Sequence, residues 1–183
     1  MSLFIVSLST RKMKHTIIIL LLLLLGTCTV TTALKNLALR GKATQSSIRD
    51  APWTGYSAAS HAIDGNRESQ FSAGSCSNTH PQKDPWWRVD LLDSYIITSI
   101  IITIRGDCCA EETTGIRIGN SLDNNGNNNP RCAVVSHIAA GLTETFQCDG
   151  MEGRYVNLII PGRKELLTLC EVEVSPPDPC WAF

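Results

Sequence analysis

Eight cysteines are spread over 183 residues, and two of them, Cys108 and Cys109, are adjacent. What they do depends on the compartment. Residues 1–33 read as a secretory signal peptide. Arg11, Lys12 and Lys14 precede an unbroken apolar run from Ile17 to Leu25, and small and hydroxyl residues close it at Val30-Thr31-Thr32-Ala33. Met13-Lys14-His15 is an alternative start. The apolar run is short for a membrane span of about 20 residues. With Cys28 in the leader, seven cysteines remain. In an oxidising compartment they form a disulfide framework with one left over. Counting alone leaves the pairing open. Structural zinc is disfavoured, because no Cys-x-x-Cys pair occurs and His61, His80 and His137 are scattered.

The 150 residues after the leader suffice for one domain with its own core. They carry 13 basic and 17 acidic residues, a net charge of −4. That balance argues against a phosphate-backbone partner, and there is no polybasic cluster for anionic lipid. No Asn-x-Ser/Thr sequon occurs.

Hydrophobic patterning points to short strands and strong turns rather than helices. Trp86 to Leu91 alternates apolar and polar residues, and Tyr95 to Ile104 is a dense β-branched run that reads as a buried central strand. Further strand-like runs are Gly115–Leu122, Ala133–Ile138, Glu144–Cys148, Arg154–Ile160 and Leu166–Val174. Turn clusters separate them at Asp123-Asn124-Asn125-Gly126, Cys148-Asp149-Gly150 and Pro161-Gly162. Many short strands at this spacing argue a sandwich or jelly roll. The only helical turn expected is near Ser57–Ile63. Two long polar stretches, Arg49–Tyr56 and Ala73–Pro85, have the character of binding loops on a stiff scaffold.

Catalytic signatures are missing. There is no Gly-x-Ser-x-Gly, no His-Glu-x-x-His and no phosphate loop. Glu111-Glu112 and Asp123 read as solvated turn residues. Three features call for a role. Arg105-Gly106-Asp107-Cys108-Cys109 follows the most apolar strand, so Arg105 emerges at a sheet edge or loop mouth. There its guanidinium can donate paired hydrogen bonds to sugar hydroxyls, or pair with Asp90 or Asp107. The two cysteines bond either to separate partners or to each other. Asp64-Gly65-Asn66 is a β-turn by itself; with Ser75 and Glu171 it supplies the oxygen donors that calcium takes. Trp86 and Trp87 must point to opposite faces, so at least one packs in the core.

These features occur together in the F-type lectins, or fucolectins, which the chain resembles from about Lys35 to Pro176. The matching stretches are Asn36–Ser47, Ala62-Ile63-Asp64-Gly65-Asn66, Phe71 with Gly74-Ser75-Cys76, Pro85–Leu92, Arg105–Cys109 and Leu169–Val174. The resemblance implies an all-β, eight-stranded jelly-roll sandwich akin to discoidin domains. It implies a lectin domain over 34–177 and a short tail over 178–183. It also implies disulfides Cys108–Cys109, Cys132–Cys148 and Cys76–Cys170, with Cys180 odd and available to link subunits.

The same resemblance implies a secreted, calcium-braced lectin for L-fucose or related terminal sugars on microbial or host glycans, and not an enzyme. Calcium would be held by Asp64, Asn66, Ser75 and Glu171, with carbonyls near His61 and Cys170. Of the family's sugar-gripping His and two Arg, only Arg105 is retained. The His position falls on Asn78 and the second Arg on Glu112; His80 lies two residues from Asn78. Phe71 and Trp53 match apolar pocket positions, beside the Cys108–Cys109 pair. Asn can still donate a hydrogen bond, whereas an ionised Glu only accepts. A degenerate lectin fold acting as an interaction module is therefore the second reading.

Overall fold

β-branched residues with period-two burial build a sandwich around two long strands. The computed structural model describes residues 36–108 and 111–178, with the side chains of 111–113 outside the description. The ten strands are β1 (Lys42–Gln45), β2 (Ser77–Asn78), β3 (Gln82–Lys83), β4 (Trp86–Thr103), β5 (Glu111–Gly119), β6 (Arg131–Ile138), β7 (Thr143–Ile159), β8 (Lys164–Glu165), β9 (Thr168–Leu169) and β10 (Glu171–Ser175). The expected leader, Cys109 and Cys180 lie outside the described residues.

β4 and β7 pair antiparallel along nearly their whole length, with register shifts between Asp90 and Tyr95 and between Ile97 and Ser99. The first half of β4 also pairs with β1, and its second half with β10. The second half of β7 carries β5, which carries β6. Each long strand thus serves both layers. Counted as two halves each, they join β1, β5, β6 and β10 to fill eight strand positions. Two-residue ladders, β2 with β9 and β3 with β8, cross-link the loops.

Bulges explain where the sequence reading divided the chain differently. Trp86–Leu91 and Tyr95–Ile104 were expected as separate strands, as were Glu144–Cys148 and Arg154–Ile160. Each pair is one strand interrupted by an irregularity. Tyr95 and Ile96 are exposed at that irregularity, so only the later part of the β-branched run is buried. Glu111 and Glu112 are not turn residues. They open β5, opposite Ile138 and His137.

The inward faces of both halves share one core. Trp87, Val89, Ile100, Ile102, Ile116, Ile118, Val156, Leu158, Val172 and Val174 are all buried in it. Trp87 is fully buried, and its Nε1 donates to Ala59 O at 3.0 Å, fastening the 3₁₀ helix Ala59–Ile63 to the sheet. Trp86 faces outward and is half-buried, with the Arg88 guanidinium 5.2 Å from its ring. Trp87→Ala is expected to cost about 3–5 kcal/mol in urea unfolding, as for other large-to-small core changes. Trp86→Ala should cost clearly less. Equal losses would contradict this facing.

Candidate functional site

The end of β4 delivers Arg105 to a loop cluster. Its Nε and Nη2 donate to Asp107 Oδ1 and Oδ2 at 2.7 and 2.8 Å, a bidentate pair that fixes the guanidinium plane. Asp107 Oδ1 also accepts from Phe71 N at 3.3 Å. The hydrogen-bonded Arg105 guanidinium holds the Asp107 carboxyl well below the usual range, at about 2. The same guanidinium lies 4.2 Å from the Phe71 ring centre, a cation–π contact.

Phe71 is buried and sits on the 3₁₀ turn Phe71–Ala73. The turn ends at Gly74 with φ 78°, a left-handed cap that suits glycine. Trp53 and Tyr56 lean on Phe71 with ring centres 5.8 and 6.3 Å away, and both are about half exposed. A cavity of about 280 Å³ opens here. Trp53, Phe71 and Leu166 give it apolar walls. Arg105, Asp107, Arg49 and Ser72 give it polar ones, and Cys108 contributes to its rim. Cys108 is disulfide-bonded. Its expected partner Cys109, and the side chain of Glu112, lie outside the described residues.

Two expected sugar contacts are placed elsewhere. Asn78 is fully buried on β2, paired with Thr168, and does not line the cavity. Its backbone explains this. Asn78 N donates to Ser57 O, while its O accepts from Arg49 N and Gln45 Nε2, so the residue is clamped beneath the loops. Its side-chain amide has no hydrogen bond among the described residues. His80 also stays off the cavity, with Nε2 3.0 Å from Asp50 Oδ1.

None of the expected cation ligands lines this cavity. Glu171 opens β10 opposite Thr103 and is buried, with both carboxylate oxygens accepting from Gly65 N at 3.2 Å. Gly65 adopts φ 83°, which lets the Asp64-Gly65-Asn66 turn aim that N–H. Burial, and then the Asp64 charge, push the Glu171 carboxyl up to about 7. Asn66 Nδ2 donates to Ser75 Oγ at 2.8 Å, and Asp64 Oδ1 accepts from Asn66 N. The Asp64-Gly65-Asn66 turn, Ser75 and Glu171 of β10 thus bring two carboxylates, an amide and a hydroxyl together, with a charge conflict that a hard divalent cation would relieve. The residues fit calcium. The neighbouring residue Cys170 is bonded to Cys76, and the second described bridge is Cys132–Cys148, both as expected. The His61 ring, whose backbone carbonyl and not its side chain is the expected ligand, has Nδ1 3.3 Å from Tyr56 O.

A family model for a NedA-like, galactose-binding domain matches residues 61–158. Fucolectin-1 of Anguilla japonica is 54% identical over 144 residues, covering 77% of this chain and 80% of its own. The chain belongs to the fucolectin family. The crystal structure of a fucolectin from the serum of Morone saxatilis, striped bass, superposes with a TM-score of 0.74 at 56% identity. The match covers 78% of this chain but only 48% of that one, so the chain spans about half its length. A Streptococcus pneumoniae fucose binding module matches at 26% identity and TM-score 0.61, over 78% and 95% of the two chains. Membership in this lectin family, and not any missing motif, sets the chain apart from enzymes. Arg49, Ser72 and Leu166 also line the cavity, and no signal in the sequence singles them out. Arg49 opens the first of the two loops marked for binding, but nothing in its spacing aims it inward.

Proposed function

We propose that this protein is a secreted, calcium-stabilised lectin that binds terminal sugars of glycans, L-fucose or a related sugar among them. The observation that carries the reading is Arg105 held flat by Asp107 over Phe71 within an apolar-walled cavity. Of its five N–H groups, two are spent on Asp107, leaving donors for sugar hydroxyls. Phe71 and Trp53 offer aromatic faces to the apolar side of a sugar ring. Asp64, Asn66, Ser75 and Glu171 would hold calcium, which supplies charge neutralisation and braces the loops behind the cavity.

The alternative reading is a degenerate lectin fold serving as an interaction module. It draws support from Asn78, which is withdrawn from the cavity, and from Glu112, which stands where a cationic donor is expected. A glycan array with and without EDTA separates the two readings, since only a lectin gives EDTA-sensitive signal. Calorimetry sharpens the test. Wild-type protein is expected to bind free L-fucose weakly. Glu112→Arg should strengthen binding about tenfold or more, because one charge-assisted hydrogen bond contributes ~1.5–3 kcal/mol. Arg105→Ala should abolish it. Tight fucose binding that survives Arg105→Ala would place the sugar site elsewhere.

A further inference from the structure

The cavity holds two arginines in different electrostatic states. Arg105 is matched by Asp107 through two short hydrogen bonds. Arg49 lines the same cavity, yet its guanidinium has no hydrogen bond or ion pair among the described residues. Its backbone is nevertheless anchored, because Arg49 N donates to Asn78 O at 3.2 Å and that residue is itself clamped. The next loop residue, Asp50, is taken by His80 and does not line the cavity. Among the described residues, which leave out the side chain of Glu112, the cavity carries one uncompensated positive charge, and Arg49 bears it.

We propose that Arg49 is the specificity-determining cation of this pocket and selects a terminal sugar bearing an anionic group, a sulfate ester or a carboxylate. The inference rests on the lectin reading above and assigns the chemistry of the ligand. A guanidinium matches both groups through paired N–H donors. In a cavity that the Trp53 and Phe71 rings also line, it acts where water is partly displaced, which strengthens the attraction. Arg105 then holds the sugar ring through neutral hydroxyls while Arg49 reads the substituent.

The test uses the full chain with calcium present and two matched pairs in calorimetry: L-fucose against its sulfate ester, and D-galactose against D-galacturonate. In at least one pair the acidic member is expected to bind about tenfold tighter than its neutral partner, the value of one charge-assisted contact. The pair that responds tells sulfate from carboxylate. That ratio should shrink at high salt, collapse toward one in Arg49→Leu and persist in Arg49→Lys. Neutral sugar binding with a ratio near one in the wild type, or a ratio that survives Arg49→Leu, overturns the inference and leaves the lectin reading standing. No binding of any of the four sugars, together with a blank glycan array, overturns both.

Discussion

Replacing Cys76 and Cys170 together by alanine is expected to lower the unfolding free energy by about 4–5 kcal/mol. The bridge closes a loop of 94 residues, and the chain-entropy account gives close to this value for loops near 100 residues. The loss should be local as well as global. Phe71, Cys76 and Cys170 form their own buried cluster apart from the main core, so the cavity floor loses its anchor. The short β2–β9 ladder, Ser77 with Leu169 and Asn78 with Thr168, extended by Thr79 N donating to Leu167 O and Leu167 N donating to Thr79 Oγ1, then holds the two segments together. Urea unfolding of the oxidised wild type and the double variant measures the difference. A change below about 1 kcal/mol would show that the ladder alone suffices and that the entropic account fails here.

Calcium is expected to raise the melting temperature by roughly 5–10 °C at a hundredfold excess over its dissociation constant. Binding to the native state alone then adds about 2.7 kcal/mol, and a chain of this size gains ~2–4 °C per kcal/mol. Asp64→Ala and Glu171→Ala should each abolish the increase. Glu171→Gln adds a control that a purely structural role would not pass. In EDTA at pH 8 it should melt no lower than the wild type, because it removes a buried charge that Asp64 opposes. Scanning calorimetry decides between these outcomes. A wild-type melting temperature unmoved by EDTA would dismiss the cation site.

Which parts of this were legible in the sequence follows from what each signal depends on. Period-two alternation across Trp86–Leu91 predicts a strand and places one tryptophan inside, and Trp87 is the one. The bulges that fuse that strand to Tyr95–Ile104 involve no special residue pattern, so the fused strand was invisible. Bridges 76–170 and 132–148 came from the resemblance and not from counting. The Asp64 turn and Glu171 are far apart in sequence, and the packing of β10 against the Ala59–Ile63 helix brings them together. Arg105 was found because it follows an apolar strand, and its choice of Asp107 over Asp90 is a matter of loop geometry. Asp90 instead takes Arg154, at 2.7 and 2.8 Å. Asn78 and Arg49 show what a position along the chain leaves open. A matched position fixes a residue's place along the backbone, while neighbouring hydrogen bonds decide which way it faces.

The β10–β4 pairing also governs when the cavity can exist. Thr103, two residues before Arg105, is hydrogen-bonded through its O to Cys170 N and stands opposite Glu171. Arg105 and Phe71 are therefore synthesised long before the segment that supports them. An N-terminal fragment ending after β7 would contain Arg49, Trp53, Phe71, Arg105 and Asp107, yet lack β9 and β10. Non-local pairings of this kind close late and slowly. During synthesis Cys76 must wait for a partner 94 residues downstream while other thiols emerge around it. Productive oxidation thus depends on chain completion more than on oxidant supply, and premature pairing of Cys76 is the natural route to misfolded protein.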